Sequence, residues 1–318
     1  MKQNTTVKLG IVIPCCNEEE GLNETTRQLQ LLLNEMMNEN KISKDSFVCY
    51  VDDGSQDNTW ALIEAFEQSN PVFKGIKLSR RFGHQNALIA GLMQLKDRAD
   101  VLVSMDSDLQ DDIKVVKEFI QKYQEGYDVV YGVRQDRSQD TRFKRRTAEF
   151  FYQFQNFMGI EIIHNHADYR LLRKKALNAL AQFKEVNLFL RGIVPLLGYR
   201  SCSVYYKRAN RFAGETKYSL KKMILFALDG ITSFSIAPLR MITMTGFMLF
   251  IFSLLAIAWI IVEKIFFGDA VQGWASVMVS IYLIGGIQLI SLGIIGEYVG
   301  RNFQEGKQRP RYLIEKEI

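Results

Sequence analysis

Short apolar runs rich in β-branched residues alternate along the chain with longer stretches whose apolar positions recur at helical spacing. Val7 to Ile13 reads as a strand, and Gly21 to Met37 as a helix with Leu22, Leu29, Leu32, Leu33 and Met36 on one face. The alternation continues with strands at Phe47 to Val51, Lys74 to Leu78, Val101 to Met105 and Val129 to Tyr131. Helical patterns at Thr59 to Gln68, Gln85 to Leu95 and Ile113 to Glu125 lie between them. Strand–helix repetition of this kind predicts an α/β layered domain with a mostly parallel sheet and right-handed crossovers. There is no internal repeat and no low-complexity segment.

Past residue 235 the pattern changes. Met241 to Val262 is 22 residues without a charge and Ala270 to Gly296 is 27, separated by the short Glu263 to Asp269. Each run is long enough to cross a bilayer, which takes about 20 apolar residues. Buried helices of a large soluble core seldom run so far uncharged, so the pattern predicts a two-helix membrane hairpin. Lys221, Lys222 and Arg240 precede the first run, and Arg301, Lys307, Arg309, Arg311 and Lys316 follow the second, whereas the connecting loop holds only Lys264. By the positive-inside rule both ends are cytoplasmic. Leu9 to Cys16 is too short, and too soon followed by acids, for a secretory signal. The expected organisation is a cytoplasmic catalytic-type domain over residues 1–220, a juxtamembrane interfacial helix over 221–238, two transmembrane helices over 239–298 and a basic cytoplasmic tail over 299–318, in a multi-pass inner or plasma membrane protein.

Composition sharpens this only slightly. Of 318 residues 47% are hydrophobic and 24% charged, which excludes both a disordered chain and a wholly membrane-embedded one. Four cysteines without metal-ligand spacing read as reduced thiols in the cytosol. The net charge of +5 is mild, and the basic residues gather beside membrane elements rather than in a nucleic-acid recognition motif, so no nucleic-acid partner is expected.

In open α/β sheets ligands bind beyond the carboxyl ends of the strands. Here those positions are acidic: Asn17-Glu18-Glu19-Glu20 after the first strand, Asp52-Asp53-Gly54-Ser55 after the second, and Asp106-Ser107-Asp108-Leu109-Gln110-Asp111 after the fourth. Singly, such residues serve turns and helix caps. Converging on one edge they repel one another unless a cation sits among them. Asp106 and Asp108 can present oxygen ligands to Mg²⁺ or Mn²⁺, which in turn would hold a diphosphate. No Walker-type or dinucleotide-binding glycine pattern is present.

Together these residues resemble family 2 glycosyltransferases of the GT-A fold, in the polyprenyl-phosphate branch that includes bactoprenol glucosyltransferases and dolichyl-phosphate mannose synthase. The matching segments are Val12-Ile13-Pro14 with Asn17-Glu18-Glu19, Val51 to Ser55 with Asp57 and Thr59, Phe82-Gly83-His84-Gln85, Asp106 to Asp111, Ala167 to Leu171, Arg211 with Ala213-Gly214 and Thr216-Lys217-Tyr218, and Gly296-Glu297-Tyr298 with Gly300-Arg301. The sequence departs from the usual pattern at Cys16, Arg81 and Asp112-Ile113.

The resemblance implies inverting transfer of a sugar, glucose from UDP-glucose, to the phosphate of undecaprenyl phosphate. The same reaction with N-acetylglucosamine, galactose or GDP-linked mannose, and a non-catalytic scaffold retaining the fold, are the alternatives. By the same carry-over Pro14, Asn17, Glu19 and Gly54 belong to the nucleotide pocket, Asp53 contacts the uracil, and Gln110 lies at the substrate. Asp106 and Asp108 handle the metal and diphosphate, with Asp108 in the catalytic set. Asp168 takes the position usually given to the base, while Arg211, which also belongs to the catalytic set, Lys217 and Tyr218 lie near the phosphates. The Glu185 to Arg191 stretch bears on sugar choice. A homo-oligomer, a flippase and a downstream glycosyltransferase are the implied partners.

An acceptor phosphate, with its second pKa near ~6, is already largely dianionic and needs no base. Asp168 is therefore expected to orient and stabilise rather than to take a proton, unless it merely pairs with Arg170 or Arg173. Arg134, Arg137, Arg142, Lys144, Arg145 and Arg146 lead into Phe150, Phe151, Phe154 and Phe157 at helical spacing. This suits either an interfacial helix over about 140–160 or a stripe packed on the sheet. His164 and His166 are read as loop residues.

Overall fold

The computed structural model describes residues 6–135, 166–186, 190–207 and 273–318, with helical positions 239, 241–249, 251–252, 255, 259 and 262 between them. The interfacial segment 140–160, the juxtamembrane helix 221–238, His164, Arg211, Lys217 and Tyr218 lie outside the described residues. The chain divides into two units, one holding the sheet and one holding residues Leu220–Gln308 with Phe154–Ile160.

The first unit is built on an eight-stranded sheet: β1 (Leu9–Cys15), β2 (Phe47–Asp52), β3 (Phe73–Leu78), β4 (Val101–Ser104), β5 (Val129–Arg134), β6 (His166–Arg173), β7 (Ser201–Tyr206) and β8 (Ile314–Glu317). Their spatial order is β7-β5-β6-β4-β1-β2-β3-β8. All seven residues of β1 and all six of β2 are buried, because these central parallel strands are covered on both faces; they read as continuous apolar runs rather than alternations. The helices are α1 (Leu22–Asn38), α2 (Thr59–Ser69), α3 (His84–Leu95), α4 (Val115–Gln124), α5 (Lys174–Leu180) and α6 (Leu190–Leu196). On α1 the buried residues Leu22, Thr25, Thr26, Leu29, Leu32, Leu33 and Met36 follow the helical period, and the Thr26 hydroxyl meets the Tyr50 hydroxyl at 2.8 Å.

The expected parallel core is present: β4, β1, β2 and β3 run parallel. Two antiparallel additions were not legible. β6 inserts between β4 and β5, antiparallel to both, so His166 is a strand residue and not a loop residue. At the other edge β8 pairs antiparallel with β3, through Ile76, Lys77 and Leu78. The last residues, expected as a basic tail, therefore complete the sheet. Gly75 N donates to Ile318 O at 3.0 Å and Ile318 N to Gly75 O at 2.9 Å.

In the second unit, helix α7 (Trp274–Gly306) runs 33 residues, about 50 Å at 1.5 Å per residue. Its start and end lie further along the chain than the uncharged run suggested. Leu283–Gly306 is long and apolar enough to cross a membrane, and none of its most apolar window is buried within the protein. Leu289, Ile290 and Leu292 are all about two-thirds exposed or more, which water disfavours and a bilayer accepts. Among the described positions of the earlier run, Phe247, Phe252, Leu255 and Trp259 are likewise exposed.

Candidate active site

The site sits at the carboxyl ends of β1, β2 and β4. Strand pairing creates its central feature. β4 and β6 are antiparallel with Ser104 opposite Arg170, and Ser104 Oγ donates to the Asp168 backbone oxygen, which brings the loop after β4 beside Asp168. The loop after β4 is tied down at several points: Met105 N donates to Val12 O (3.2 Å) and Thr25 Oγ1 to Ser107 O (2.8 Å). Gln110 N donates to Asp108 Oδ1 at 3.2 Å, with Leu109 between them in the left-handed region at φ 54°. Beyond it Asp111 is buried and accepts from Tyr206 Oη (2.6 Å) and Arg134 Nη2 (3.0 Å).

A cleft of about 250 Å³ opens here, lined by Pro14, Cys15, Cys16, Glu18, Asp53, Arg81, His84, Asp106, Ser107, Asp108, Asp168 and Arg191. The lining carries five carboxylates against two arginines, so an anionic ligand needs additional positive charge. Asp106 shows where. Its Oδ1 is buried and has no hydrogen-bond partner among the described residues; His84 Nε2, at 3.4 Å, does not close into a hydrogen bond. Burial raises its pKa, and the neighbouring Asp111, Asp168 and Asp108 charges add to that, against the His84 contribution. An orphaned buried oxygen beside a second carboxylate fits a divalent cation. Among the described residues no group of three or more His, Cys, Asp or Glu converges on a metal position. A cation held by Asp106 and Asp108 would take its remaining ligands from water and substrate phosphates.

Asp168 is the electrostatic opposite. It is buried, yet Arg191 Nη2 donates to Oδ2 at 3.1 Å and Arg170 Nη2 donates to Oδ1. Burial pushes its carboxyl up, but Arg191, Arg170 and His84 outweigh this and hold it well below the usual carboxylate range. Arg173 does not take part; it reaches Asp128. Arg191, at the start of α6, is a cleft residue that the sequence reading reached only as the end of a stretch bearing on sugar choice.

The other expected site residues divide. Pro14, Asp53, Asp106, Asp108 and Asp168 line the cleft; Asn17, Glu19, Gly54 and Gln110 are not among its lining. Asn17 Oδ1 accepts from Gln56 N (2.8 Å), and Glu19 Oε2 accepts from Asn58 N and Nδ2 (both 3.0 Å), so both tie the loop after β1 to the start of α2. Gln110 is buried. Gly54 has φ 67°, and a Cβ there would lie 2.6 Å from the backbone of Arg80 and Arg81, so only glycine lets the two loops meet. Asp53 uses one oxygen for Phe82 N (2.6 Å) and the other for Gly83 N (2.8 Å), pinning the loop that carries Arg81 and His84.

Residues 10–181 match glycosyl transferase family 2. The chain belongs to this family. As a family 2 glycosyltransferase with the GT-A fold it also carries, over residues 237–301, the GtrB C-terminal hairpin. It is 50% identical over 318 residues to the uncharacterized glycosyltransferase YkoT of Bacillus subtilis (strain 168), covering 100% of this chain and 94% of that one. It is 39% identical over 316 residues to the prophage bactoprenol glucosyl transferase homolog of Escherichia coli (strain K12), covering 98% and 99%. Among solved structures, mannosyl-3-phosphoglycerate synthase from Rubrobacter xylanophilus superposes with a TM-score of 0.49 at 14% identity, covering 76% of this chain and 75% of that one.

Proposed function

We propose that this family 2 glycosyltransferase moves glucose from UDP-glucose to the phosphate of a membrane polyprenol, undecaprenyl phosphate, with inversion, at the cytoplasmic face of the inner or plasma membrane. The observation that carries the reading is the pairing of a cation-seeking Asp106 with an arginine-held Asp168 across one small cleft. The full-length similarity to a protein named as a bactoprenol glucosyl transferase homolog supports the choice of acceptor and sugar.

In this reaction an oxygen of the acceptor phosphate attacks the anomeric carbon as the bond from that carbon to the diphosphate breaks, and UDP leaves with the electron pair. No proton has to move, because a phosphate monoester is largely dianionic at neutral pH. Asp168, kept ionised by Arg191 and Arg170, has a poor affinity for a proton. It acts by fixing those guanidinium groups and by setting negative charge beside the cationic sugar carbon. Asp106 and Asp108 are the residues that would hold Mg²⁺ or Mn²⁺, which when bound supplies Lewis-acid stabilisation to the leaving diphosphate. Asp53 and Gly54 shape the nucleotide end by holding the β3–α3 loop in place. Arg211, Lys217 and Tyr218 are assigned to the phosphates, Arg211 toward the acceptor.

The pairing of β8 with β3 supports the membrane topology. β7 and β8 belong to one sheet, so a segment between them that crosses the bilayer must cross back. An even number of crossings agrees with a two-span hairpin whose cationic flanks face the cytoplasm.

The test is a panel of radiolabelled UDP-sugars incubated with membranes and undecaprenyl phosphate, with and without divalent cation. Lipid-linked label from UDP-glucose that requires the cation is the expected result. No transfer from any donor would refute the reading.

A further inference from the structure

His84 opens α3, and its Nε2 lies 3.4 Å from Asp106 Oδ1 and 4.0 Å from Asp168 Oδ2. Nε2 is the ring nitrogen that faces these two carboxylate oxygens, and an imidazole can carry its N–H there. Its side chain is 46% exposed where that of Asp168 is 8% exposed, which puts the imidazole on the open side of the cleft with its donor turned toward the acids. The backbone beneath it is firmly held by the two Asp53 hydrogen bonds to Phe82 and Gly83.

Neither acid uses this donor as a settled partner. Asp168 is already satisfied by two arginines, and the approach to Asp106 stops short of a hydrogen bond. The N–H therefore points into the gap between the two carboxylates, where a reacting group has to sit if those acids serve the chemistry. We propose that His84 is a catalytic residue whose Nε2–H donates to an anionic phosphoryl oxygen in the bound complex. This rests on the reading of the chain as a polyprenyl-phosphate sugar transferase. The oxygen belongs either to the diphosphate of the donor or to the phosphate of the acceptor, and the experiment separates the two.

The experiment compares wild type, His84→Ala and His84→Gln as full-length protein in lipid nanodiscs. UDP affinity is measured by calorimetry with saturating Mn²⁺ and again in EDTA, Mn²⁺ affinity by electron paramagnetic resonance, and the acceptor KM at saturating UDP-glucose. A contact to the donor diphosphate gives about 10- to 100-fold weaker UDP binding in His84→Ala, with partial recovery in His84→Gln, whose amide restores a donor. A contact to the acceptor gives a rise of similar size in its KM with UDP binding unchanged. Either result supports the proposal. UDP affinity and acceptor KM both within about twofold of wild type would overturn it, as would a change confined to Mn²⁺ binding, which would make His84 only a neighbour of Asp106. Should wild type bind UDP yet transfer no sugar, the functional reading fails while the UDP measurement still decides the donor contact. A variant that no longer melts cooperatively is replaced by His84→Asn, judged by the same two limits.

Discussion

Arg191 Nη2 lies 3.1 Å from Asp168 Oδ2 across 23 residues of chain, and with Arg170 on the other oxygen it keeps this buried carboxylate ionised at neutral pH. A carboxyl whose folded pKa lies below its ordinary 3.8 adds stability that is complete above that value and is lost only as the pH falls through the folded one. Asp168 therefore does not titrate near neutrality. Asp168→Asn is expected to lower kcat by about 100-fold at every pH between about 6 and 9, leaving the shape of the pH–rate profile unchanged. An acidic limb that disappears in the variant would instead identify Asp168 as a proton acceptor.

Arg191 carries its own prediction. Arg191→Ala leaves Asp168 on Arg170 alone, and kcat should fall by about 100-fold while UDP affinity stays within about threefold of wild type. Equal losses in both would mean that Arg191 grips the donor and not the catalytic carboxylate.

Asp106 presents a trade of stability against function. Its Oδ1 is buried without a hydrogen bond among the described residues, and burial raises its pKa. Asp106→Asn removes that charge at nearly constant shape, so the melting temperature without added metal should rise by about 2–4 °C. Mn²⁺ binding and cation-dependent transfer should drop together. An unchanged Mn²⁺ affinity would remove Asp106 from the metal set.

Asp53 is tested through the amides it holds. Asp53→Ala frees Phe82 N and Gly83 N from this acceptor, and their hydrogen exchange should speed up by about 10- to 100-fold while β1 and β2 stay protected. A raised KM for the UDP-sugar should accompany it, since Arg81 and His84 ride on that loop.

The C-terminal strand is the last test. Its ion pairs, Lys77 with Glu315, Lys316 with Glu64 and Arg98 with Glu317, are partly exposed and contribute little. Its backbone ladder and the packing of Ile318 against Gly75 matter more. A Cβ at Gly75 would meet Ile63 Cγ2 at 2.7 Å and Ile318 Cγ1 at 2.9 Å, so Gly75→Val should expel the strand. Deleting residues 309–318 is expected to lower the melting temperature by about 4–8 °C and to expose β3 as an unpaired edge, seen as concentration-dependent aggregation. An unchanged melting temperature would mean that β8 adds nothing to the sheet.

The sequence by itself determined the parts of this protein that follow from local pattern. The alternation of buried strands and amphipathic helices over β1 to β5, the acids beyond β2 and β4, and the uncharged run around α7 are all periodicity and composition, readable because backbone sterics tie side-chain spacing to local conformation. What only the tertiary structure decided depends on partners distant in the chain. Asp168-Tyr169-Arg170 reads as polar until β6 is inserted between β4 and β5 and its acid and base are buried against each other. Arg191 reaches that acid from a separate helix, and Ile314–Glu317 becomes a strand only because β3 offers an open edge. Asn17 and Glu19, which the motif assigned to the nucleotide, accept from backbone amides at the α2 start. Such pairings are set by which surfaces meet after the chain has folded, and a carboxylate carries no local mark of whether its neighbour will be a guanidinium, a backbone amide or an empty space fit for a cation.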